Sequence, residues 1–97
     1  MFARVTTVSI QPDKVADVTR IYNESILPAV KAASGNRAVY LLVDAASGKG
    51  LSITVWDTKE AGATYDASGT YREQVSKVAP YFTGPASLDT YEIAAQG

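Results

Sequence analysis

Hydrophobic and polar residues alternate with two different periods along the chain, and each change of period marks a new element. A period of two, rich in Val, Thr and Ile, runs through residues 2–10 (FARVTTVSI) and predicts a first β-strand. Apolar residues then recur at helical spacing from Pro12, which suits the first turn of a helix, to Ala33. Pro28 should kink this helix, and Gly35 should end it in a left-handed conformation.

The middle of the chain contains two more apolar stretches that predict strands. Residues 37–44 (RAVYLLVD) and 51–57 (LSITVWD) are rich in branched and aromatic side chains, and the intervening AASGKG is a Gly/Ser-rich turn. We therefore expect the two strands to pair as an antiparallel hairpin. A last strand is predicted at residues 87–94 (SLDTYEIA).

A second helical region is predicted between the hairpin and the last strand. Asp57 followed three residues later by Glu60 resembles a capping box at its start. The helix should break near residues 68–69, and Thr70 with Glu73 forms a second capping box from which it resumes.

The resulting order β-α-β-β-α-β predicts an α+β fold of the ferredoxin-like type, with residues 1–97 forming one domain. We expect a four-stranded antiparallel sheet in the order 4-1-3-2, with both helices on one face. The first and last strands then run side by side, which predicts a cross-strand ion pair between Arg4 and Glu92. If that pair faces a cavity, it could also orient a polar ligand.

The second strand is apolar on both of its faces, since Val39 and Leu41 alternate with Tyr40 and Leu42. In the third strand, we assign Leu51, Ile53 and Val55 to the helix side and expect Ser52, Thr54 and Trp56 to point away from the helices. A strand that is apolar on both faces needs a second cover, and an open apolar patch usually marks an interface. The pattern predicts a homodimer formed through the sheet face.

Composition narrows the chemistry that this fold could perform. The chain has no cysteine and no histidine, so it lacks thiolates, an imidazole base and the usual zinc ligands. No metal site and no nucleotide-binding glycine motif are recognised. Nine Lys and Arg against ten Asp and Glu, without runs, give no reason to expect nucleic acid as a partner. No membrane span or signal segment is recognised, and a cytoplasmic location is the expectation.

Three motifs carry a resemblance to a known family. The segments ITVWDTKEAGATY (53–65), SGTYREQV (68–75) and TYEI (90–93), in this order of elements, resemble the antibiotic biosynthesis monooxygenases, a family of dimeric α+β barrels. The resemblance implies a homodimer with a cavity for a small aromatic or polyketide-like molecule. Some relatives oxidise phenolic polyketides to quinones with O2 and without metal or flavin, and others oxidise haem. No cofactor is therefore expected here.

The resemblance also implies roles for particular residues. Trp56 matches a tryptophan that lines the cavity, although it could instead fill a dimer interface. Tyr65 stands where members often have a histidine, which argues against haem and leaves Tyr65 to hydrogen-bond a substrate oxygen or to serve the core. Arg72 would stabilise developing negative charge, unless it is a solvated helix residue. Ser52 replaces an amide residue of some relatives.

Two hypotheses follow from these residues. In the first, the chain is a cofactor-independent monooxygenase in which Arg72 and Tyr65 act on a phenolic substrate. The ligand-binding residues would be the following: Trp56, Tyr22, Tyr40, Ser52 and Thr54. In the second, the same fold is a non-catalytic ligand-binding or stress-associated protein.

Overall fold

A computed structural model describes residues 1–97 and contains one antiparallel sheet of four strands. These are β1 (Phe2–Ser9), β2 (Asn36–Val43), β3 (Lys49–Trp56) and β4 (Ser87–Glu92). Their spatial order is β2-β3-β1-β4, and every neighbouring pair is antiparallel. Read from the other edge, this is the predicted order 4-1-3-2, so the predicted ferredoxin-like α+β fold is confirmed.

The connection from β1 to β2 is helical but not uniform. It comprises a 3₁₀ turn (Pro12–Lys14), α1 (Val15–Ile21), a π-helical turn (Tyr22–Ile26) and α2 (Leu27–Lys31). Pro28 cannot donate to the preceding turn, and the irregularity predicted at the proline lies immediately before it as a widened turn.

Gly35 ends this helical connection, as predicted, with a φ of +84° that favours glycine. The chain then enters β2 directly. None of the helices combines the length and the hydrophobicity that a membrane span requires.

The second helical region consists of α3 (Lys59–Asp66) and α4 (Gly69–Ser76), followed by a 3₁₀ turn (Ala79–Tyr81). The predicted break near residues 68–69 is confirmed, because α3 ends at Asp66 and α4 starts at Gly69. The break lets the chain change direction between two short helices that both cover the sheet.

The residues that cap these two helices differ from those predicted. Thr58, in an extended conformation, accepts a hydrogen bond from a backbone N–H of the first turn of α3, whereas the carboxylate of Asp57 is held by Arg37 from β2. Ser68 caps α4 in the same way, two residues before Thr70. Both predicted capping-box starts are therefore wrong, and each true cap is a neighbouring hydroxyl residue.

The helices pack against one face of the sheet, and the phase predicted for the third strand is wrong. Ser52, Thr54 and Trp56 point toward the helices, while Leu51, Ile53 and Val55 lie on the open face. The reason is that the helix-side face is partly polar. Thr54 pairs with Arg4 and Ser52 pairs with Thr6 across the two central strands, and a cavity adjoins these residues.

Two clusters of buried side chains form the core between helices and sheet. The first contains Val8, Ile10, Val15, Val18 and Val78, and the second contains Val30, Trp56 and Tyr65. Trp56 is completely buried, and its indole packs between α2, α3 and β2. The space between the two clusters is where the cavity lies.

Candidate functional site

A cavity of about 120 Å³ lies between the sheet and the helices. Fourteen of its twenty lining residues are hydrophobic, so it is suited to a mainly apolar molecule. Its six polar lining residues are Arg4, Thr6, Ser52, Thr54, Asp66 and Gln74. Leu88 of β4 also lines it and is 45% exposed, which marks β4 as the side on which the cavity meets solvent.

The first helical connection contributes four lining residues spaced four apart, namely Val18, Tyr22, Ile26 and Val30. In a regular α-helix a step of four residues overshoots a full turn by roughly 40°, so such a row would drift around the helix. The π-helical turn is wider and turns through a smaller angle per residue, which reduces the drift. All four side chains therefore face the same cavity.

Arg4 and Asp66 form an ion pair at the cavity wall. The guanidinium of Arg4 donates from Nη2 to Asp66 Oδ2 and from Nη1 to the hydroxyl of Thr90, and the two paired side chains are 13% and 22% exposed. The predicted pair with Glu92 is wrong, because Glu92 lies opposite Phe2 and Arg4 turns toward α3. Burial raises the pKa of Asp66, and the charge of Arg4 opposes that rise.

Three tyrosine rings approach the cavity from the helices. The hydroxyl of Tyr22 lies 2.9 Å from Ser52 Oγ and donates to the backbone carbonyl of Tyr40 at 3.3 Å. Tyr65 packs edge-to-face with Tyr71 at a centroid distance of 5.9 Å, and its buried hydroxyl has no partner. Burial raises the pKa of Tyr22, Tyr65 and Tyr71 above the ordinary 10.0. At neutral pH these groups are hydrogen-bond donors and not phenolates.

Gln74 is the buried polar residue of the core, at 9% exposure, and it lines the cavity from α4. Its Oε1 accepts a hydrogen bond of 2.7 Å from Ser25 Oγ, which in turn accepts one of 2.6 Å from Lys77 Nζ. Sequence reasoning missed Gln74 because a glutamine in an amphipathic helix normally faces solvent. It missed Asp66 for the same reason.

The structure brings together four of the predicted site residues and leaves three outside. Tyr22, Ser52, Thr54 and Tyr65 all line the cavity. The other three lie elsewhere: Trp56 is behind Tyr65, with ring centroids 5.5 Å apart and its Nε1 donating to Thr54, Tyr40 is on the open sheet face, and Arg72 is exposed on α4. The cation at the cavity wall is Arg4.

A ferredoxin-like α+β domain with a cavity between sheet and helices is the class that this fold and site define. The model of the antibiotic biosynthesis monooxygenase family matches residues 1–77, and the chain belongs to that family. Two uncharacterised proteins of Mycobacterium tuberculosis are 32% and 31% identical to it over 98% and 97% of its length. The chain spans only 42% and 39% of these relatives.

Solved structures support the same fold. A provisionally named antibiotic biosynthesis monooxygenase from Bordetella bronchiseptica superposes with a TM-score of 0.85 at 18% identity, covering 97% of each chain. One from Nitrosomonas europaea gives a TM-score of 0.81 at 16% identity, covering 98% of this chain and all of the other. At these identities the likeness concerns the fold.

Proposed function

We propose that the chain binds a small aromatic molecule of a single ring in the helix-side cavity. The observation that carries this proposal is an apolar cavity of about 120 Å³ with one ion pair, Arg4–Asp66, on its wall. An engineered apolar cavity of about 150 Å³ holds benzene, so this cavity is matched to one ring with a small substituent. Tricyclic polyketide-like molecules exceed that size.

Oxygenation of such a molecule is the activity that the family and the named neighbours suggest. In the proposed reaction, a phenol transfers its proton to Asp66, and the phenolate then gives one electron to O2. Recombination on the ring and loss of water convert phenol plus O2 into quinone plus water. Arg4 stabilises the negative charge that develops, a role for which Arg72 is too exposed.

Asp66 is suited to the role of base because burial raises the pKa of its carboxyl group toward the range of general bases. Tyr65 would add a hydrogen bond to the substrate oxygen, as expected from the sequence, since its hydroxyl has no partner in the protein.

The test is O2 uptake with a panel of single-ring phenols. Asp66→Asn should lower turnover by roughly 10²-fold or more, the usual contribution of a general base. Asp89→Asn is the matched control, because Asp89 is exposed on β4 and belongs to the open face, so turnover should be unchanged. Equal turnover in Asp66→Asn and the wild type would exclude Asp66 as the base.

A non-catalytic binding protein is the second candidate, and a specific observation favours it. Arg4 already neutralises the carboxylate of Asp66, and burial keeps the tyrosine hydroxyls protonated, so the cavity holds no free base. This candidate predicts saturable binding of single-ring aromatic compounds without O2 consumption. Turnover that depends on Asp66 would refute it.

The open sheet face supports a homodimer. One row across it reads Tyr40, Ile53, Val5 and Asp89, the next Leu42, Leu51, Thr7 and Ser87, and the third Ala38, Val55, Ala3 and Tyr91. Tyr40, Leu42 and Tyr91 are about half exposed, at 54%, 48% and 57%. A largely apolar face of this kind on a small domain is typical of an interface, and a second copy would cover it.

Two neighbouring residues of β2 allow a matched test of the dimer. Leu42→Glu places a charge on the open face and should shift the protein to monomers in light scattering after gel filtration. Val43→Glu places the same charge on the opposite side of the same strand, at a residue that is 40% exposed, and should leave the dimer intact. A Leu42→Glu protein that remains dimeric would contradict this interface.

A further inference from the structure

We propose that Gln74 determines ligand specificity by donating a hydrogen bond from its side-chain amide to a carbonyl oxygen, so that the cavity selects neutral single-ring compounds that carry a carbonyl group. This inference rests on the proposed function, because it concerns the molecule held in the same cavity. It adds the chemical class of that molecule and the residue that recognises it.

The orientation of the Gln74 amide is fixed by a chain of hydrogen bonds that reaches the surface. The ammonium group of Lys77 can only donate, so Ser25 Oγ accepts from it at 2.6 Å. The hydroxyl hydrogen of Ser25 is then free to point at Gln74 Oε1, 2.7 Å away. Because the amide oxygen is held in this way, the NH2 group is left for another partner.

No protein atom accepts a hydrogen bond from Gln74 Nε2, although the residue is more than nine-tenths buried and lines the cavity. Two further donors beside the cavity are also without acceptors, namely Arg4 Nε and the hydroxyl of Tyr65. Buried donors without partners are costly, and an acceptor on a bound molecule relieves that cost. The cavity is therefore complementary to a molecule with acceptor oxygens.

Charge balance favours a neutral acceptor over a carboxylate. The positive charge of Arg4 is already neutralised by Asp66, and most of the cavity lining is apolar. An anion would lose its hydration on entering without gaining an unpaired cation, whereas a ketone has little hydration to lose. A ring bearing a carbonyl group meets both the apolar lining and the donors.

Acetophenone and α-methylstyrene provide the test, because they share shape and size but differ in a carbonyl oxygen against a methylene group. Their binding is followed by NMR titration of the protein, with the side-chain amide signals of Gln74 as a direct readout. Wild-type protein should bind acetophenone several-fold more tightly than α-methylstyrene, roughly the effect of one neutral hydrogen bond, and the Gln74 amide signals should move. Benzoate should bind more weakly than acetophenone.

Gln74→Met keeps the size of the side chain and removes the donor, so acetophenone and α-methylstyrene should then bind about equally. Glu73→Gln is the control on the same helix, because Glu73 is exposed, and it should keep the wild-type preference. Equal affinities for the two probes in the wild type, or a preference retained in Gln74→Met, would overturn the inference while leaving cavity binding intact. Failure of either probe to bind would overturn the inference and the proposed function together.

Discussion

Replacing Gly62 by alanine should destabilise the protein although alanine is the better helix former. Gly62 lies inside α3 and is buried where that helix approaches the sheet. A Cβ at this position would lie 2.7 Å from Arg4 Cδ and 3.1 Å from Trp56 Cδ1. Carbon atoms in normal contact are about 3.5–4.0 Å apart, so both neighbours would have to move.

Neither neighbour can move easily. Trp56 is completely buried in the second core cluster, and the guanidinium of Arg4 is held by Asp66 and Thr90. Overpacking of a core costs about 1–3 kcal/mol, and two simultaneous overlaps favour the upper end. The intrinsic preference of a helix for alanine over glycine offsets about 1 kcal/mol of this. We therefore expect a net loss of about 2 kcal/mol in the free energy of unfolding.

The assay is thermal and urea unfolding of the variant beside the wild type. For a domain of this size a loss of about 2 kcal/mol lowers Tm by about 10 °C. Gly69→Ala is the matched control, because Gly69 begins α4 and a Cβ there would meet nothing within 4 Å. It should raise stability by about 0.4–1 kcal/mol by restricting the unfolded chain. A Gly62→Ala protein as stable as the wild type, or equal losses in both variants, would refute the packing argument.

Three further results are expected from unfolding experiments. Thr58→Ala should lower the free energy of unfolding by about 1 kcal/mol, the usual cost of a lost helix cap, whereas Asp57→Ala removes only an exposed ion pair and should cost less. Tyr65→Phe should be neutral or stabilising because its hydroxyl has no partner, while Tyr22→Phe loses a hydrogen bond and should cost about 1 kcal/mol; the opposite ranking would contradict the hydrogen-bond assignment. Burial raises the pKa of the tyrosines in the folded state, so the unfolded chain ionises first; stability should be full below about pH 10 and fall as the pH rises above it, and Tyr71→Phe should lessen that fall in urea titrations.

The order of elements and the order of strands follow from the sequence, because they depend on hydrophobic period and on strong turn signals such as Gly35. The facing of β3 does not. Ser52 and Thr54 resemble solvent-facing positions of an amphipathic strand, yet they adjoin a cavity, and the apolar Ile53 lies on the open face. Local alternation cannot say which side of a sheet the helices cover when neither side is fully apolar.

The site was predictable only where family position and geometry agree. Tyr22 and Tyr65 line the cavity as expected, because aromatic residues on the buried face of a helix usually reach the core. Asp66 and Gln74 could not be found, since a single sequence does not distinguish a buried polar helix residue from an exposed one. Arg4 was recognised as a candidate, but its partner was assigned along the sheet and not to α3.

The π-helical turn at Tyr22–Ile26 makes the number of residues between β1 and β2 a constraint on inheritance. Deleting one residue there would restore a regular α-helix and rotate everything after it by about 100° relative to what precedes it. Tyr22 and Val30 could then no longer share a cavity. Substitutions within the turn are tolerable, whereas a single-codon deletion should be purged, and alignments of functional descendants should show this segment without gaps.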